Sequence, residues 1–488
     1  GTAGDVNGDG YADVIVGAPW YGHGQKDKGN VFVYHGGATG LSAAPDWTAE
    51  SDQEGAGFGT SVGTAGDVNG DGYADVIVGA PWYGHGQKDK GNVFVYHGGA
   101  TGLSAAPDWT AESDQEGAGF GTSVGTAGDV NGDGYADAIV GAPVNLCYQE
   151  EEGRAFVYHG GPTGLDANPT WVAESDQADA RFGFSVGTAG DVNDDGYADV
   201  IVGAPGYNNG QEGEGRAFVY HGGATGLGAT PTWTAEGDQT WASFGWSVGT
   251  AGDVDGDGYA DVIVGAHLHG QEYEGRAFVY HGSATGLDVT PAWTAEGNKA
   301  KALFGRSLGT AGDVDGDGYA DVIVGAHLHG QEREGRALVY YGNGGDGLQL
   351  RPRQMRSDGS APIAHLGMSD SGTAFQLRLI GRMPLGREEV RLQWQVAPLG
   401  TPFSHPSGVE GSSSAWNDTG TSGVEISQTV KGLAPGTPYH WRVRLLYRPG
   451  NALGQPAGRW IHIPWNGWHE ADFRTGREVY LPLVVRES

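Results

Sequence analysis

Six times along the chain the segment DVNGDGYAD, or a close variant, sets oxygen-bearing side chains at positions one, three, five and nine of a short loop. In the first copy these are Asp5, Asn7, Asp9 and Asp13, with the Tyr11 carbonyl at position seven and glycines at four and six that permit a tight wrap. Hard oxygen donors in this number suit calcium; magnesium prefers a stricter octahedron with several waters, and zinc wants His or Cys. Without a cation, carboxylates packed this closely repel one another. The set recurs at Asp67, Asn69, Asp71, Tyr73 and Asp75, and again at Asp129, Asn131, Asp133, Tyr135 and Asp137. The fourth copy is Asp191, Asn193, Asp195, Tyr197 and Asp199. In the last two, Asp replaces Asn at position three: Asp253, Asp255, Asp257, Tyr259 and Asp261, then Asp313, Asp315, Asp317, Tyr319 and Asp321. About six calcium ions are expected, each Tyr serving through its backbone carbonyl. An EF-hand is excluded, because its loop needs Glu at position twelve between helices and this chain has Val16 there, on a strand. Asp/Asn/Gly turns that hold no metal are the plainer alternative.

Something must hold these loops at regular intervals, and the repeat around them shows what. Residues 1–62 and 63–124 are identical, and the first Asp of each loop recurs at spacings of 62, 62, 62, 62 and 60. Each unit contains an apolar strand (VIVGA), a second strand (NVFVYHG or RAFVYHG), a stretch around a Trp such as Trp47, and a Phe-Gly strand such as FGTSVGTAG. Four short strands per unit with almost no helical periodicity predict a β-propeller blade. Among the 488 residues, 91 glycines rule out a helix-dominated chain and place turns and crowded inner strands throughout. A solenoid is the competing repeat architecture, but four strands in each unit favour radial closure.

The Phe-Gly pairs at Phe58, Phe120, Phe182, Phe244 and Phe304 place a sixth at 366, where Leu366-Gly367 stands inside AHLGMS. The first unit starts after its own copy of that strand, so residues 362–369 are expected to close the first blade. Six blades are then expected, with seven the alternative should an upstream repeat exist. A third arrangement has the alternating tail VYLPLVV pair with a neighbouring molecule's open blade. The sequence also opens at Gly1 without a methionine or signal-like apolar stretch, an expectation of upstream processing or truncation. Beyond the repeats, FQLRLIGR, VRLQWQV, GVEISQTV and YHWRVRLLY alternate apolar and polar residues and predict an antiparallel β-sandwich. The fold class is therefore all-β, with a propeller over 1–369, a sandwich over 370–476 and a tail or exchanged strand over 477–488.

Charge divides the same way. Residues 1–350 carry a net −36 and residues 351–488 a net +4, together the −32 of the whole chain. This excess of acid argues against nucleic-acid or anionic-membrane partners, which need clustered Lys and Arg. No stretch approaches the roughly 20 apolar residues of a membrane span. The asymmetry also suggests a head-to-tail contact of acidic propeller with basic sandwich, one that salt weakens. No catalytic constellation emerges. His267 with His269, and His327 with His329, lack a third ligand and read as structural. Cys147, the sole cysteine, has no activating partner. The repeated Tyr-His pairs and the Trp of WTAE read as blade packing, with a repeated sugar site as the alternative for Tyr-His. Trp460, Trp465 and Trp468 offer either an aromatic surface for a ligand or core packing.

Phe58-Gly59, the DVNGDGYAD loop and Gly79-Ala80-Pro81 together resemble the FG-GAP repeats of the integrin alpha-subunit propeller and its bacterial relatives. The resemblance covers residues 1 to about 345. It implies a propeller with calcium in hairpin loops on one face, a role in adhesion or ligand binding, and an extracellular or cell-surface, bacterial setting. Departures are the six loops where integrins have seven blades, and GAHLHG in place of GAP in the last two repeats. KGLAPGTPYHWRVR resembles the fibronectin type III pattern through Leu433, Pro435, Gly436 and Tyr439. The expected function is non-catalytic: adhesion to protein or glycan ligands, or a structural surface or filament component that self-assembles. A lectin-like module, or the accessory part of a surface enzyme, is the alternative.

Overall fold

The computed structural model describes the chain apart from residues 10, 23–27, 38, 85–89, 144–151, 256, 258, 313, 315–318, 330–333, 343–351, 362, 364–366, 382–388, 400, 402, 404–405, 421–422, 450–456, 458–459, 461–472 and 476–488. Its contacts divide it into a unit built mainly from Gly1–Gly347 and a second unit that follows it.

The first unit is a β-propeller architecture of six blades. Five blades are four-stranded antiparallel sheets in simple sequence order, and the sixth has three strands among the described residues. The second blade is representative: an innermost strand Ser61–Gly66, then Asp75–Ala80, Asn92–Tyr96 and Trp109–Glu112. Alternation along DVIVGA explains how blades stack, because successive side chains point to opposite faces of a strand. Ile77 faces the following blade while Val76 and Val78 face the preceding one. Both faces are therefore apolar and buried.

Each interface has the same recipe. Ile201, Ala217 and Val219 of one blade meet Val262, Val264, Phe278 and Tyr280 of the next, and Phe244 from the Phe-Gly pair completes the cluster. The glycines of that recipe are steric necessities. A Cβ on Gly79 would lie 2.0 Å from the carbonyl oxygen of Gly121 in the next blade. The Trp of WTAE seals the rim: Trp47 meets Tyr96 edge-on at 4.8 Å and donates from Nε1 to the Ser104 carbonyl at 3.0 Å. This is the packing role expected from sequence.

The first blade has a short innermost strand of its own, Thr2–Gly4, paired to Asp13–Ala18. Of the closing strand expected over 362–369, residues 362 and 364–366, Leu366 among them, lie outside the described residues, while Gly367–Met368 pairs in parallel with Phe473–Arg474 in the C-terminal unit. Leu stands where every internal copy has the buried Phe, so the segment lacks the side chain that anchors its counterparts between blades.

The second unit is a β-sandwich. One sheet pairs Arg353–Met355, Ala374–Gly381 and Val424–Lys431; the other is built on Glu389–Pro398 and Pro438–Tyr447. Trp441 is fully buried and donates from Nε1 to Gln354 Oε1 at 2.9 Å. At the turn before Pro438–Tyr447, the Tyr439 hydroxyl accepts the Ala434 amide at 2.8 Å. The tail 477–488 lies outside the described residues, and no helix among the described ones is long and apolar enough to cross a membrane.

Candidate metal centres

Each loop joins the innermost strand of a blade to its second strand. In the second loop, Asp67 accepts the Asp71 amide on Oδ1 at 3.1 Å and the Gly72 amide on Oδ2 at 2.8 Å. Asn69 Oδ1 takes the Asp71 amide at 2.9 Å, and Asp71 Oδ1 takes the Tyr73 amide at 3.0 Å. These short-range bonds coil the backbone tightly around the side chains at positions one, three and five. The pattern recurs with Asp5, Asn7, Asp9 and Tyr11, with Asp129, Asn131, Asp133 and Tyr135, and with Asp191, Asn193, Asp195 and Tyr197. In the fifth loop, carboxylate oxygens of Asp253, Asp255 and Asp261 converge within 4.8 Å of one another. Asp313, Asp315 and Asp317 of the sixth lie outside the described residues, whereas Tyr319 and Asp321 are buried at its end.

Position nine has a second role that spacing alone did not disclose. Asp75 is fully buried; its Oδ2 accepts the Val68 amide at 2.9 Å and its Oδ1 the Gly98 amide at 2.8 Å. Asp13, Asp137, Asp199, Asp261 and Asp321 repeat both bonds. The carboxylate thus ties the loop to the end of the third strand. Burial outweighs those amides and pushes the Asp75 and Asp137 carboxyls up to about 8. A buried acid so disfavoured in its charged form fits a cation beside it, which would restore the ionised state.

Position four carries the loops' link to each other. Gly70 has a φ of 72°, and a Cβ there would stand 2.6 Å from the Tyr135 ring of the next loop. The fourth loop places Asp194 at this position with φ 57°, in the left-handed region that Asp tolerates better than most residues.

A histidine also reaches position three. His281 Nδ1 lies 3.0 Å from Asp255 Oδ2, and His221 Nδ1 lies 3.1 Å from Asn193 Nδ2. The Asp255 hydrogen bond, against opposing burial, raises His281 to about 9. The signal was present in the sequence as the recurring Tyr-His, but only the closed blade shows that its His abuts the loop. Its Tyr partners Tyr96, Tyr158, Tyr220 and Tyr280 are buried, which supports packing over a repeated sugar site.

The remaining candidates do not assemble. His267 packs on Trp246 at 4.1 Å and His269 edge-on against Phe278 at 6.0 Å, so the pair serves two different aromatic contacts. Burial pushes both down to about 4. Arg442 and Arg444 both pack on Trp460, their guanidinium carbons 4.5 and 4.6 Å from its ring centroid. Cys147, Trp465 and Trp468 lie outside the described residues.

Blades stacked in series, each closing its inner hairpin with an oxygen-lined loop, define a β-propeller of the acidic-loop class. More particularly, residues 1–34, 58–96, 120–158, 182–220, 244–280 and 304–347 match the FG-GAP repeat, and the array is an integrin alpha-like FG-GAP β-propeller. The chain is 33% identical over 263 residues to integrin alpha-4 of Xenopus laevis, which covers 52% of this chain and 24% of that protein. It is 38% identical over 194 residues to integrin alpha-7 of Mus musculus, covering 39% of this chain and 15% of that one. The chain thus spans a quarter or less of these relatives' length. Among solved structures, an exo-beta-1,3-galactanase from Phanerochaete chrysosporium aligns over 92% of this chain and 98% of its own, with a TM-score of 0.32 and 7% identity. That likeness is too low to bear on fold or activity.

Proposed function

We propose that this chain is a non-catalytic, calcium-stabilised adhesion or protein-binding module that works outside the cell. The observation that carries the reading is the convergence of Asp253, Asp255 and Asp261, on a loop whose pattern recurs six times. Positions one, three and five with the Tyr carbonyl would hold one calcium per loop, and position nine either joins them or positions them from behind. Extracellular modules commonly bind calcium at about 10⁻⁴ to 10⁻³ M, a range filled outside cells and not in a cytosol. Calcium there stiffens a chain with no disulfide available to it, and the sandwich acts as a spacer. Its tyrosine turn and strand order support the fibronectin type III likeness.

Isothermal titration of calcium-depleted protein with calcium chloride tests the metal reading. Saturable binding of several ions with a raised melting temperature is expected; an unchanged melting curve in excess chelator would sink it. Beads coated with the chain should adhere to protein-coated surfaces in calcium and detach in chelator, and adhesion indifferent to chelator counts against the module. One observation favours glycan as the ligand: Trp20 is 61% exposed and stacks on Trp82 at 5.0 Å, a ready platform for a sugar face. A glycan array probed with wild type and Trp20→Ala distinguishes the two ligand classes.

A further inference from the structure

We propose that neighbouring loops do not take calcium independently: at each junction one peptide group belongs to two sites, so that filling one loop favours filling the next. This rests on the proposed calcium sites and adds coupling between them. The peptide joining positions seven and eight faces two ways. In the third loop the Tyr135 carbonyl is the oxygen expected to meet the ion, while the Ala136 amide of the same peptide donates to the Asp67 carbonyl of the second loop at 3.0 Å. Asp67 stands at position one there, and the peptide that it shares with Val68 passes the link on. The Val68 amide donates to Asp75 Oδ2 at 2.9 Å, and Asp75 is the buried carboxylate at position nine. Two peptide groups in series thus run from a ligand position of one loop to a carboxylate of the loop before it. The other junctions among the described residues repeat both bonds. Ala74 donates to Asp5, Ala198 to Asp129, Ala260 to Asp191 and Ala320 to Asp253, at 2.9 to 3.0 Å. Val6, Val130, Val192 and Val254 then donate to Asp13, Asp137, Asp199 and Asp261, at 2.7 to 2.9 Å.

The side chain at position seven reinforces the link. The Tyr73 ring rests on Gly8, Tyr135 on Gly70 and Tyr197 on Gly132, where a Cβ would stand 2.6 Å from each ring. Position seven therefore meets the preceding loop through backbone and ring together. A peptide group is planar, so its C=O and N–H cannot turn separately. Fixing the Tyr135 oxygen on a cation fixes the Ala136 amide on Asp67, and hydrogen bonds in series polarise one another in the same sense. The second loop then has its position-one backbone and its position-nine carboxylate already set, which removes part of the ordering cost from its own binding. Linkage makes the aid reciprocal. Direct repulsion between two bound cations acts in the opposite sense. Charge alone thus gives negative coupling, and the peptide link gives positive coupling.

The test is equilibrium dialysis of the full calcium-depleted chain against radioactive calcium, for wild type and for variants with one loop or one link disabled. Wild type is expected to fill several sites with a Hill coefficient of about 1.5 or more. Asp133→Asn disables the third loop, and the remaining sites should then bind about fivefold more weakly. Independent sites would keep their affinity, and sites coupled by charge alone would gain some. Ala136→Pro removes the linking N–H but no proposed ligand of either loop, so the ions should be retained while cooperativity falls. Ala198→Pro repeats that arm at the next junction, and the Asp133→Asn arm decides the matter should both proline variants misfold. A wild-type Hill coefficient of one or below, remaining sites unchanged or tightened in Asp133→Asn, or full cooperativity in a folded proline variant would each overturn the coupling and leave the calcium sites standing. No saturable calcium uptake by the wild type would instead remove the sites themselves, and the coupling with them.

Discussion

Within one loop, two aspartates that look alike in sequence perform different tasks. Asp71 is exposed and its oxygens serve only the loop, whereas Asp75 is buried and holds two backbone amides from separate segments. Asp75→Asn replaces one accepting oxygen with an amide nitrogen that cannot accept, at a cost of about 2 kcal/mol even without calcium. Asp71→Asn should leave the calcium-free protein nearly unchanged and weaken calcium binding. Urea denaturation with and without calcium separates the two. The same buried carboxyls set a pH dependence. With folded values of about 8 against an ordinary 3.8, Asp75 and Asp137 keep a proton that the unfolded chain has lost across that window. Stability of the calcium-depleted protein is therefore expected to fall as pH rises from about 4 to 8. Calcium bound as proposed would hold the carboxylates ionised, so the loaded protein should instead lose stability on acidification. Melting curves at pH 5 and 8, with calcium and without, check both signs.

At the scale of the strand, the neck between blades is where a single methyl group does most damage. Gly79→Ala drives a Cβ into the Gly121 carbonyl and should cost about 3 kcal/mol. Gly325→Ala, the same substitution in the sixth blade, meets only the Ser307 hydroxyl, a side-chain atom that can rotate away, and should cost much less. Thermal melts of the two variants make the comparison. Spacing made the strands and loops legible in advance, because Ile/Val alternation and the Asp-Asn-Asp period are local and recur. The fate of Gly367–Met368 was not legible. Strand pairing is settled by distant partners, and Phe473–Arg474 gave no sign of competing for it. The link from Asp75 to Gly98 was hidden for the same reason, since it spans 23 residues and forms only once the blade has closed.

For the molecule as a whole, acidity and cohesion are coupled. A net −36 over residues 1–350 opposes compaction, and each calcium bound as proposed would remove two units of that excess. Added sodium chloride should thus raise the melting temperature of the calcium-depleted chain markedly and that of the loaded chain little, a contrast read by calorimetry. The charge division between the two units was visible from counting alone.

The identity of residues 1–62 with 63–124 has a consequence for how such a molecule changes over generations. Within that pair no residue records which blade it belongs to, so one of the two can be duplicated or deleted in register and the new junction is one already present. Copy number, and with it the length of the array, is free to drift while the rules of assembly stay constant.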